Sequence, residues 1–136
     1  MSGSEVQRLV AGELFVLREQ APDAWNELVQ ILEQLTVRID CPPERFWLIS
    51  GSDIDLVKDF VGVVDVQLTL GRGVLAGLVG GRLTLVDALD SGQLDATGKV
   101  DDVARVFEAI TACIASLVRL SASFAPWRTF RAAQSS

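Results

Sequence analysis

The sequence predicts an α+β fold, a sheet of about five largely antiparallel strands with helices covering one face and water on the other. Three observations carry this. Apolar residues recur at helical spacing before residue 36 and after residue 98, and mostly at alternate positions in the strand-like segments between them. Polar residues fill the other alternate positions, as in an antiparallel sheet wet on one face rather than a parallel sheet buried on both. The 136 residues are 49% hydrophobic and 22% charged, enough for one core but not two, so residues 1–136 are expected to form a single domain.

The elements follow in order. Ser4 with Gln7 three residues on reads as a capping box, and Val6, Leu9, Val10, Leu14 and Leu17 give a helix over about 5–20. Pro22 suits the first turn of a second helix, whose apolar stripe is Trp25, Leu28, Val29, Leu32 and Leu35. At Thr36 the period changes to two: Val37 and Ile39 alternate with Arg38 and Asp40 until Pro42-Pro43 ends the segment. Arg45 to Ser50 is the second strand, Gly51-Ser52-Asp53 a turn, and Ile54 and Leu56 a weaker third. Val64, Val66, Leu68 and Leu70 mark the cleanest strand, expected to enter as part of a meander. Between Gly71 and Gly92, two short helices fit better than strands, and Leu94 and Ala96 make the last strand. Asp101 and Asp102 favour the start of the longest amphipathic helix, which runs through Val106, Phe107, Ile110, Ile114 and Leu117.

Composition excludes more than it selects. The net charge of −6 repels a polyanion, so no nucleic-acid partner is expected. The chain has no histidine and no tyrosine, which removes the commonest general base and metal ligand and reads against an enzyme. Its two cysteines, Cys41 and Cys113, are expected as free thiols in a reducing cytosol. An acidic N-terminus without an apolar run, and apolar stretches broken well short of a membrane span, make a cytoplasmic protein with no integral membrane segment the expectation.

Two runs imitate chemical sites. Gly71-Arg72-Gly73-Val74-Leu75-Ala76 has the G-x-G-x-x-A pattern of a dinucleotide turn. Only Val74 to Val79 follow before Gly80-Gly81, too short for a crossover helix, so a tight strand-to-helix turn is expected and no cofactor. Asp53 and Asp55 share one face of an extended segment, but they lack a calcium loop's spacing and read as solvated edge charges; no metal is expected. No G-x-S-x-G or S-x-x-K frames a nucleophile, so no catalytic residue is assigned.

Residues 81–98, Gly-Arg-Leu-Thr-Leu-Val-Asp-Ala-Leu-Asp-Ser-Gly-Gln-Leu-Asp-Ala-Thr-Gly, resemble the sterol carrier protein type 2 family. Gly81, Ala88, Gly92, Leu94 and Gly98 match its motif, all as fold positions rather than ligand contacts, and the likeness covers roughly 36–112. It implies a five-stranded sheet under helices, an apolar tunnel for lipid tails, and a lipid-binding or carrier domain. Residues 1–35 would then be added N-terminal helices and 121–136 an unmatched aromatic, basic tail.

Phe46, Leu48, Leu75, Leu78, Leu85, Leu89, Phe107 and Ile110 either line such a cavity or fill an ordinary core. In the first case the protein is a non-catalytic carrier of a fatty acid, sterol or isoprenoid lipid. In the second it is a structural or interaction module that dimerises or docks to an enzyme. The chain is electrically polarised: residues 1–102 hold 8 bases and 17 acids, whereas the remainder holds four arginines against Glu108. Trp127 and Phe130 in the basic tail are expected to act as a lid on the cavity or as a clasp in a homodimer.

Overall fold

The computed structural model describes residues 5–123, with side chains as far as Leu120. Helices α1 (Glu5–Gln20) and α2 (Pro22–Ile31) precede strands β1 (Thr36–Cys41), β2 (Glu44–Ser50), β3 (Ile54–Val57) and β4 (Val66–Leu70). Short helices α3 (Arg72–Val79) and α4 (Leu85–Asp90), strand β5 (Leu94–Gly98) and the long α5 (Val100–Ser123) complete it. Ser4 of the expected capping box, and the tail residues Trp127 and Phe130, lie outside the described residues.

The five strands are ordered β3-β2-β1-β4-β5. Every neighbouring pair is antiparallel except β1 and β4, which run parallel with Val37 opposite Val66 and Ile39 opposite Leu68. The expected meander is therefore corrected. After β3 the chain passes β2 and β1 before inserting β4 on the far side of β1. The strand also starts two residues later than its alternation predicts. Asp65 is instead a clasp between the two central strands: its carboxylate accepts from the Thr36 N–H at 2.8 Å and its own N–H donates to the Thr36 carbonyl.

The pleat sorts side chains as the alternation requires. Val37, Ile39, Phe46, Leu68, Leu70 and Leu94 turn toward the helices and form the core with Leu17, Leu28, Leu32, Val106 and Leu117. The other face carries Arg38, Asp40, Arg45 and Gln67. There Asp40 accepts from Arg45 Nε at 2.6 Å and Gln67 Nε2 at 3.0 Å, and pairs with Arg38 at 3.3 Å, so one carboxylate joins β1, β2 and β4.

Helix ends are satisfied from a distance. The Arg105 guanidinium of α5 donates to the Ile31 and Glu33 carbonyls at 2.9 and 2.6 Å, taking up groups left free where α2 ends. Thr84 caps α4 through the Asp87 N–H. Gly98, with φ of +153°, lies so close to β4 that a Cβ there would meet the Asp65 carbonyl oxygen at 2.5 Å, and only glycine fits. Among the described residues no helix is long and apolar enough to cross a membrane.

Candidate functional site

Between the inner face of the sheet and the helices lies a cavity of about 160 Å³. Val37, Ile39, Leu48, Leu68, Leu70 and Leu94 form its floor; α1, α2, α3 and α5 supply the walls. The surface it presents is apolar throughout. Among the described residues that line it, only Glu13 and Cys113 carry ionisable side chains. Burial, aided by the Glu13 charge, pushes the Cys113 thiol up to about 11, so it stays protonated at neutral pH and behaves as a small apolar group. The site can hold an apolar guest by excluding water, and its walls offer no array of donors to orient a polar one.

Of the eight residues singled out from the sequence, the fold brings Leu48, Leu75, Leu78 and Ile110 to the cavity. The others lie elsewhere. Phe46 is 1% exposed and sits in the core opposite Ile39. Leu85 and Leu89 on α4, and Phe107 on α5, pack against the core from outside the cavity. Phe107 follows the cavity-lining Val106, and one residue is about 100° of helix, enough to turn it off the lining face. Sequence reasoning missed the floor apart from Leu48, and the walls from α1 and α2, including Val10, Leu14, Leu28 and Leu32. The inward phase of Val37 and Ile39 and the i, i+4 pairs Val10/Leu14 and Leu28/Leu32 were the available signals.

At the start of α1, outside the residues that line the cavity, is a carboxylate that the sequence did not single out. Glu44, its side chain 1% exposed, accepts from the Val6 N–H at 2.7 Å and the Gln7 N–H at 3.3 Å, and so takes the place of a cap at the start of α1. Arg72, at the start of α3, bridges Glu44 at 3.2 Å and Glu5 at 2.7 Å. Burial acts to raise the Glu44 carboxyl, but the two amides and the guanidinium outweigh it and hold its pKa below the ordinary value. Cys41, opposite Glu44 on β1, is raised by burial and then by that carboxylate, against a smaller lowering effect of Arg72. Gly71 precedes α3 as an extended residue, so the G-x-G-x-x-A run is a strand-to-helix turn; the next strand, β5, pairs antiparallel with β4, unlike a Rossmann crossover. Asp53 pairs with Arg18 at 3.3 Å and accepts from the Ile54 N–H, while Asp55 is exposed.

Neither a family model nor a curated protein sequence matches the chain. Solved structures do. The UbiJ-SCP2 ubiquinone synthesis protein superposes with a TM-score of 0.60 at 15% identity, covering 84% of this chain and 89% of its own. The sterol carrier protein domain 2 of Helicoverpa armigera gives 0.55 at 12% identity, over 75% and 85% of the two chains. Sterol carrier protein 2 from Yarrowia lipolytica, in its apo form, gives 0.50 at 21% identity, over 70% and 79%. The chain has the sterol carrier protein 2 fold. Within that fold the motif at residues 81–98 is structural: Gly81 and Gly92 take φ of +76° and +75° at the ends of short helices, and Ala88 is fully buried where α4 meets β5.

Proposed function

We propose that this protein binds a long apolar molecule in the cavity between sheet and helices and carries it without altering it. The observation that bears the most weight is the cavity itself, which the side chains of the described residues leave unfilled and wall with aliphatic groups, in a fold shared with proteins named as sterol carriers. An apolar cavity of about 150 Å³ accepts a benzene-sized guest, so the resting space takes one segment of a lipid and a longer tail requires a wall to yield. At ~0.8 kcal/mol per buried methylene, about ten methylenes reach micromolar binding. A chain without histidine, whose cavity thiol stays protonated, is poorly equipped for acid, base or nucleophilic work on the guest. The cavity also favours the carrier over an interaction module with a filled core.

The ligand class is open among fatty acids, sterols and isoprenoids, and the neighbour named for ubiquinone synthesis places prenyl compounds in the first round of tests. Native mass spectrometry and solvent extraction of the purified protein should reveal a bound lipid. Titration with anthroyloxy-stearate, dehydroergosterol and a fluorescent farnesyl analogue should give saturable one-to-one binding to at least one. Ile110→Trp, which fills the cavity, should abolish that binding while the protein stays folded. Failure of all three probes to bind overturns the proposal, and chemical conversion of a bound lipid overturns its non-catalytic part.

A further inference from the structure

The cavity walls are not equally fixed. α5 packs on α2 and on β4 and β5, and Arg105 fastens it to the end of α2. α1 packs on α2, α5 and β2, but its firmest anchors are at its two ends. Its two buried side chains, Val6 and Leu17, stand at opposite ends of the helix. Val10, Glu13 and Leu14, which line the cavity, lie between them and are only half-buried. At the N-terminal end the Glu44 carboxylate grips the Val6 and Gln7 amides, and Arg72 ties Glu5 to the same carboxylate. At the C-terminal end Arg18 pairs with Asp53 and lies over the Trp25 ring at 5.7 Å.

Gly12 stands in the middle of this span. A Cβ there would meet nothing within 4 Å, and the residue is not among those with positive φ, so neither space nor backbone conformation requires glycine. What glycine does bring is weakness, because after proline it is the poorest helix former. It lies within the continuous helix, between the cavity-lining Val10 and Glu13.

We infer that α1 is the gate of the cavity, a strap pinned at both ends and weakened at Gly12, and that Glu44 is the positioning residue that sets how readily it opens. This rests on the carrier reading. The gate explains how a guest longer than the resting space enters without unfolding the sheet or α5. It places the moving part in a helix whose cavity-lining middle is half-buried and weakened by a glycine, where local opening costs less than in a fully buried element.

Two variants should act in opposite directions. Gly12→Ala strengthens the strap and should slow both uptake and release of anthroyloxy-stearate about 3-fold. Glu44→Gln removes the charge on the latch and should speed both about 10-fold, leaving the Kd changed less than either rate. Arg72→Gln loosens the same latch from an exposed position and should speed exchange about 3-fold, which keeps the test available if Glu44→Gln folds poorly. Hydrogen exchange of the Glu44→Gln protein should show lost protection confined to α1. Asp40→Asn, on the opposite face of the sheet, should leave both rates unchanged, which a general effect of stability would not.

The inference is overturned if Gly12→Ala and the latch variants shift the rates in the same direction. It is also overturned if α1 loses protection while exchange stays at the wild-type rate, for the guest then passes another wall. A wild-type protein that binds none of the three lipid probes removes the carrier reading and the gate together, an outcome separate from either rate result.

Discussion

The β1–β2 hairpin carries one buried carboxylate on each face, and the two are held in different ways. Asp40, on the open face, is held by three side chains, Arg38, Arg45 and Gln67. Glu44, on the covered face, is held by two backbone amides of α1 and by Arg72 of α3. If Asp40 is lost, Arg45 can turn to water, to which 57% of its side chain is already exposed. If Glu44 is lost, the Val6 amide stays buried beneath the helix that carries it. The open-face network joins strand to strand, whereas the covered one joins the sheet to the walls of the cavity. Exchanging water for backbone partners raises the cost of losing a carboxylate and lets it control an element distant in sequence.

The largest effect should come from neighbours on one strand. Leu68→Ala removes part of the cavity floor and should cost about 3 kcal/mol of unfolding free energy by urea titration, while Gln67→Ala, facing the other way, should cost about 1 kcal/mol. Next come the carboxylates: Glu44→Ala should cost about 2 kcal/mol and Asp40→Ala about 1 kcal/mol, and equal losses would erase the distinction between the faces.

Acid should sharpen it. Glu44 titrates below its ordinary 4.5 when folded, so the stability from its ionised form is complete above about pH 4.5 and is lost as the pH falls through the folded value. The gap in urea midpoint between wild type and Glu44→Gln should therefore narrow between pH 6 and pH 3. The cavity thiol gives a separate readout in reaction rate. Cys113, raised to about 11, should react with an alkylating reagent at pH 7.5 about 100-fold more slowly than an exposed thiol, and occupancy of the cavity should slow it further.

Much of this architecture was legible in the sequence because a repeat of 3.6 or 2 reports which way each residue faces. Val66, Leu68 and Leu70 gave their strand and its buried side, and the residues from Val106 to Leu117 gave the long helix and its apolar stripe. Periodicity does not report which strands are neighbours. Nothing in the alternation of β4 distinguishes a place in a meander from a parallel seat beside β1, and that seat depends on the Asp65 clasp at Thr36. Half of the residues singled out for the cavity do not line it, because a void lies between elements and a hydrophobic residue reads alike whether it faces space or a neighbour. Glu44 falls between Pro42-Pro43 and the strand expected from Arg45, so neither alternation reaches it. Extending the inward phase of Phe46 and Leu48 back by two residues would have placed a glutamate toward the helices, the one anomaly that pointed to the latch.

The parallel seat of β4 has a consequence for synthesis of the chain. β2 follows β1 across a two-residue turn and can pair with it at once, but the strand that covers the other edge of β1 is not made until Val66 to Leu70. At about 5–20 residues per second, the emerging protein exposes that edge for about one to five seconds. During that interval an apolar strand at what will become the centre of the sheet has a free row of amides and carbonyls, open to pairing with a strand of another nascent chain. Arg38 and Asp40 alternate along it, placing charge on every second residue during the interval in which aggregation is easiest.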